Sequence, residues 1–201
     1  MVRRQARARP MVADDRRKAI LDVVIPLLRA KGSSLTTAEI ARAANIAEGT
    51  IFRVFPDKPA VMFEAVKAAM DATPVADAIR AISAEGPMRA QLVEAAQLLR
   101  DYFNRMVALG ESLRSGSPVH GGRAQEMAAL IKSSSDTISA ALADLFARHR
   151  AVLRVPPAAA RAAFRGLVFA SAHPLLPPKE RLALEDAVSI LLSGIAEPER
   201  N

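Results

Sequence analysis

Residues 36–58, TTAEIARAANIAEGTIFRVFPDK, constrain the fold of this chain more than any other stretch. Thr36 stands three residues before Glu39, the spacing of a reciprocal capping box, which marks a helix start. Ile40, Ala41 and Ala44 then form one apolar stripe at helical spacing. Asn45 is among the few residues that accept a left-handed backbone, so a turn belongs there. Ile46 enters the core, and Ile51 and Phe55 share one face of a second helix at i, i+4. Ala41 is small where two steeply crossed helices must approach closely. The pattern predicts a helix-turn-helix over about residues 36–55.

Composition extends that reading to the whole chain. Of the 201 residues 51% are apolar but only 4% aromatic, and Ala dominates, which favours helices over sheets. The expectation is all-α, with one or two domains. Absence of Cys excludes disulfides and thiolate metal sites and fits a reducing compartment. No apolar run approaches the roughly 18 residues of a membrane span. The Arg-rich start lacks the apolar segment of a signal peptide. A soluble, cytoplasmic protein is therefore expected, with no membrane partner.

The distribution of the +7 net charge is more telling than its size. Residues 1–60 hold twelve Lys/Arg against six Asp/Glu, whereas the remainder holds sixteen against fifteen. Excess positive charge thus lies beside the helix-turn-helix, as a phosphate-binding surface requires.

The motif resembles the amino-terminal pattern of the tetracycline-repressor (TetR) family of transcriptional regulators. That pattern runs here through the capping Thr36, Ile40-Ala41, the turn at Asn45, Gly49-Thr50, Phe52-Arg53, Phe55 and Lys58. The likeness reaches back over Asp15–Gly32, similar to the family's first helix, and covers about the first third of the chain. Beyond about residue 70 only a general helical layout is shared.

Along the chain, residues 1–13 read as a flexible basic arm carrying Arg3, Arg4, Arg7 and Arg9. Residues 14–56 form the expected DNA-binding domain and 57–201 a second, ligand-binding and dimerisation domain. A first helix runs from Asp14 or Asp15 to Lys31 and stops at Gly32, with a core-facing kink at Pro26. Asp57 caps a fourth helix reaching about Ala72, with Met62, Phe63 and Val66 buried. Pro74 opens a fifth, ending near Gly86. Long helices follow at about 87–109 and 123–150, separated by the loop Ser115–Gly122. Pro156-Pro157 starts a helix to about Ala172, and the last spans about 179–196. About nine helices and no strand are expected.

Candidate DNA contacts follow from position. Thr36 and Thr37 stand at a helix N-terminus whose free amides favour phosphate; for Thr36 a purely capping role is the alternative. Gly49 lets a backbone approach closely, the Thr50 hydroxyl can donate, and Arg53 can reach a guanine edge or a phosphate. The resemblance implies that Lys58 contacts phosphate. Phe52 stands where the family usually has Tyr, losing a hydroxyl but keeping a ring able to touch a thymine methyl or a sugar. Glu48 either accepts from a cytosine amino group or stays in water as a surface carboxylate. The arm either enters an A·T-rich minor groove or adds only non-specific affinity.

In the second domain the last two helices are rich in small and aliphatic residues. The resemblance implies a homodimer through about residues 156–196, closing as a four-helix bundle. Two-fold DNA sites give the physical reason, since two recognition helices must stand about 34–36 Å apart. The middle helices are expected to enclose a mostly apolar cavity for an unknown small effector. Tyr102, Phe103, Met106, Phe146, His149, Phe164 and Phe169 are its candidate lining, and for each the plain-core reading competes. The resemblance implies by default a repressor that binds a palindromic operator as a dimer and is released by its effector, with activation or effector-strengthened binding as the alternatives. Two rivals remain: a non-sequence-specific DNA-binding protein and an enzyme on a helical scaffold. The second is disfavoured by three scattered His residues, 120, 149 and 173, and by the lack of nucleotide-binding or zinc motifs. No catalytic residue, cofactor or metal ligand is assigned.

Overall fold

A computed structural model describes residues 13–114, 123–173, 177, 179 and 181–195. Among them are nine α-helices and no β-strand. They fall into two compact units. The first holds the described residues up to Ala69 with 112–114; the second holds Met70–Glu111 and the described residues from 123 onward.

The first unit begins with α1, Ala13–Lys31, whose core face is Ile20, Val24 and Leu28 at i, i+4, i+8. Asp14 and Asp15 occupy its first turn, and Arg29 and Lys31 its last, both favourable to the helix dipole. Pro26 lies inside the helix but on its solvent side, not facing the core as expected. There the missing amide and the freed carbonyl can be served by water. Gly32, at φ +57°, ends the helix and opens a 3-10 turn, Gly32–Ser34.

Two short helices follow, α2 (Thr37–Ala43) and α3 (Glu48–Phe52), then α4 (Lys58–Ala69). Asn45 takes φ +53°, the left-handed turn its side chain tolerates. Ile51 and Phe55 are both fully buried, as their spacing predicted, although the regular helix stops at Phe52. Backbone bonds from Val54 and Phe55 to the Ile51 carbonyl carry the turn that far. The Asp57 carboxylate accepts from the Ala60 amide at 2.7 Å and so caps α4. Helix α1 packs against α2 and α4. Arg17 reinforces that packing: it pairs with Glu64 at 3.0 Å and lies 4.8 Å over the Phe55 ring. A boundary at residue 57 would leave α4 outside this unit. Its contacts with α1 extend the unit through Ala69 instead.

The second unit comprises α5 (Thr73–Ala81), α6 (Met88–Arg114) as far as Glu111, α7 (Ala124–Arg148), α8 (Pro157–Ala172) and α9 (Leu184–Ile195). Helix α5 stops five residues short of Gly86, α6 outruns its expected end at 109, and α9 starts later than 179. The loop Ser115–Gly122 and residues 1–12 lie outside the described residues. Helix α7 packs on α5 and α8, and α8 on α9. Leu92, Leu99, Leu142, Phe146, Phe164, Val168, Val188 and Leu191 share one core. Arg148 donates to the carbonyls of Ile82 (3.0 Å) and Arg80 (3.2 Å), serving the open end of α5.

Candidate nucleic-acid interface and ligand groove

The first motif helix is fixed by its cap. Thr36 Oγ1 accepts from the Glu39 amide at 3.2 Å, and the Thr36 amide donates to Glu39 Oε2 at 2.9 Å. Both halves of the capping box are thus formed. Lys31 completes the arrangement from the end of α1, its ammonium 2.5 Å from Glu39 Oε1. That ammonium, followed by the Thr36 amide and hydroxyl, lowers the Glu39 carboxyl to about 2.

Glu48 accepts from the Thr37 hydroxyl, joining the first turns of α2 and α3. Neither residue's spacing announced this bond. It gives Glu48 an intramolecular partner beyond the water or cytosine open to it from sequence. Gly49 is exposed, and a Cβ built on it would meet nothing within 4 Å. Packing within the chain therefore does not require glycine there, which leaves room for an incoming backbone. Thr50 is half-buried and its amide donates to the Ala47 carbonyl at 2.8 Å. Phe52 is 47% exposed, and Arg53 is exposed at the C-cap of α3. Lys58 is half-buried, and its ammonium donates to the Ser33 carbonyl at 3.2 Å. One of its three donors is thereby used, and two remain. Thr36, Thr37, Glu48, Gly49, Thr50, Phe52, Arg53 and Lys58 all belong to the first unit. Arg3, Arg4, Arg7 and Arg9 lie outside the described residues.

The candidate effector residues all belong to the second unit. Phe146 and Phe164 are fully buried and meet edge to face at 5.6 Å. Tyr102 is buried, its hydroxyl donating to the Met70 carbonyl at 3.0 Å, and burial raises its pKa. Met106 packs against the same core. His149 serves a structural network. The Gln91 amide donates to the carbonyls of Ala84 (3.3 Å) and Gly86 (3.2 Å), so its Oε1 faces His149 Nε2 at 3.0 Å. The imidazole must be the donor there. Burial, and secondarily Arg148, keeps it below its ordinary pKa.

Phe103 and Phe169 alone of these candidates line a groove of about 510 Å³. Their rings meet edge to face at 5.2 Å. Ser139, Arg161, Arg165 and Gly166 complete most of its lining. The two arginines escaped the sequence reading, although their i, i+4 placement in an Ala-rich helix is a visible signal. Among the described residues no group of three or more His, Asp or Glu is placed to hold a metal. None of the described helices is long and apolar enough to cross a membrane.

Comparison with known proteins agrees with the motif. Residues 20–65 match the family described as bacterial regulatory proteins, tetR family. No curated protein matches the chain in sequence. Among solved structures, the reduced form of NemR from E. coli is 16% identical with a TM-score of 0.67, covering 92% of this chain and all of that one. A tetR-family transcriptional regulator from Streptomyces coelicolor is 19% identical with a TM-score of 0.62, covering 91% and 81%. The TetR transcriptional regulator SCO0520 of the same organism is 23% identical with a TM-score of 0.55, covering 92% and 99%. At such identities the likeness beyond residue 65 is one of fold. The amino-terminal helix-turn-helix of this chain is that of the TetR family, carried in a chain with the all-α fold of TetR-family transcriptional regulators.

Proposed function

We propose that this protein is a ligand-responsive, DNA-binding transcriptional regulator of the cytoplasm. It is a repressor that reads a palindromic operator as a homodimer and is released by a small, mainly apolar effector. One observation carries the reading. Gly49, Phe52 and Arg53 stand together on the exposed side of a firmly capped helix-turn-helix, and nothing within the chain's own packing explains the glycine. Lys58 supplies a phosphate contact from the start of α4, and the basic arm adds electrostatic affinity.

Pairing of two copies runs through about residues 156–196. Ala159 and Ala163 are exposed and Ala170 half-exposed along one side of α8, and Ile190 of α9 is 55% exposed. Small side chains allow two helices to approach closely, and burial of Ile190 adds about 1.5–3 kcal/mol per copy. The effector acts by population shift, favouring a dimer whose recognition helices no longer match operator spacing. A coupling of about 1–3 kcal/mol changes DNA affinity roughly 5–150-fold.

The test is selection from a random double-stranded DNA pool with the purified protein. Enrichment of a palindrome is expected. Retention without an enriched sequence would favour the non-specific binder, and no retention would remove DNA from the function altogether.

A further inference from the structure

Arg161 and Arg165 stand on the side of α8 turned away from the alanine stripe of the proposed pairing. The two cations stand one helical turn apart, where like charges destabilise a helix. Neither has a carboxylate within ion-pair distance among the described residues. Their charge is oriented rather than neutralised. Arg165 donates through Nη1 to Ser139 Oγ (2.7 Å) and the Ser135 carbonyl (3.3 Å), and through Nη2 to Ser135 Oγ (2.8 Å). Arg161 Nη1 donates to the Ser139 carbonyl at 3.0 Å. All these acceptors are neutral groups of α7. A guanidinium offers five N–H donors, so both arginines keep donors that no described protein group accepts.

Beside this fixed pair stands an apolar wall. Phe103 and the 44% exposed Phe169 meet edge to face, and a Cβ on Gly166 would meet nothing within 4 Å. The groove's volume of about 510 Å³ suits one small molecule. Two uncompensated cations beside two rings complement one anionic head joined to one apolar body. At 100° per residue, Arg161 and Arg165 lie across α8 from Ala159, Ala163 and Ala170, while Gly166 borders that alanine stripe, so the cationic end of the groove faces away from pairing through it.

We infer that this groove binds an amphipathic organic carboxylate, its carboxylate on Arg161 and Arg165 and its aryl or alkyl body against Phe103 and Phe169. As the identity of the effector this rests on the regulator reading; as a binding site it does not.

The experiment is calorimetric titration of the full chain with 4-phenylbutyrate and octanoate, and with the matching neutral alcohols. Both acids should bind saturably, and each alcohol roughly tenfold more weakly or worse, as loss of charge-assisted hydrogen bonds requires. Arg165→Met and Arg161→Met should each weaken the acids at least as much, with Arg165→Lys intermediate because it keeps charge without the fork. Helical circular dichroism and melting check each variant's fold, and two separate arginines guard against one failing to fold. Equal affinity for acid and alcohol would overturn the inference, as would acid binding indifferent to both arginines, or no binding of either acid at millimolar concentration. Sedimentation of the same variants covers the remaining case: loss of the dimer without acid binding would assign the cations to contact between copies and overturn it too. DNA retention is measured separately with each acid present and absent. Acid binding by a protein that never retains DNA would sink the regulator reading and leave the groove standing.

Discussion

The Thr37 hydroxyl donates to the Glu48 carboxylate, so the two helices of the helix-turn-helix are joined at their first turns. Ala41 and Ile51 are buried in the same unit, but α3 has only five residues and cannot hold its angle by length. A polar tie near its start compensates. In a double-mutant cycle, Thr37→Val and Glu48→Ala should show a coupling of about 0.5–1.5 kcal/mol in urea unfolding. Strictly additive single effects would show that the bond contributes nothing to the motif's rigidity.

Glu39 makes the same motif sensitive to acid. Its carboxyl is held at about 2 against an ordinary 4.5, first by Lys31 and then by the Thr36 amide and hydroxyl. Between those values the unfolded chain binds more protons than the folded one. The contribution is therefore complete above pH 4.5 and disappears as pH falls through about 2. Glu39→Gln should flatten melting temperature against pH across that window. Because the Lys31–Glu39 pair is partly exposed, added salt should shrink the difference between variant and parent. Parallel curves would place the acid sensitivity elsewhere.

These two pairs show what sequence could and could not disclose. The capping box, the Asn45 turn and the Ile51–Phe55 face are local signals, each decided within four residues, and all three were legible. Helix ends were less so: α5 stops at Ala81, where Arg148, 66 residues from Ile82, donates to the carbonyls of Ile82 and Arg80. The extent of the first unit likewise depends on contact between α1 and α4. The all-α architecture followed from composition. The groove did not, because aromatic residues at helical spacing look alike whether they fill a core, as Phe146 and Phe164 do, or face solvent, as Phe169 does.

His149 gives the second unit a pH dependence of opposite chemistry and the same sign. Burial first, and Arg148 second, lower its pKa below 6.5, so the folded state prefers the neutral ring that donates to Gln91. The unfolded chain takes up that proton more readily. Stability should be full above about pH 6.5 and fall as pH drops below it. His149→Gln keeps a donor for Gln91 without titrating. Urea midpoints near pH 7.5 and near pH 5.5 should differ less in that variant than in the parent. An unchanged difference would exclude His149 as the source.

Lys58 has a structural and a proposed functional task, which one substitution separates. Lys58→Ala removes the bond to the Ser33 carbonyl, a loss of about 0.5–1.5 kcal/mol in unfolding. It also removes one cation from the proposed DNA face. Affinity should fall about equally for operator and unrelated DNA, and the slope of log affinity against log salt should decrease by about one. A stability loss with an unchanged slope would confine Lys58 to its structural task.

Phe52 offers the sharpest test of which way α3 faces DNA. Its ring is 47% exposed at the end of that helix, where the family usually carries a Tyr hydroxyl. Phe52→Tyr adds one neutral donor and changes little else on an open surface. If the ring faces the DNA backbone, the new hydroxyl reaches a phosphate, and affinity should rise about fivefold, or about 1 kcal/mol. Operator and non-operator DNA should gain alike, since a phosphate contact carries no sequence information. The salt slope should hold, because a phenol releases no counterion. A gain confined to the operator would move the ring to a base edge, and no gain on either DNA would turn this face of α3 away from the duplex.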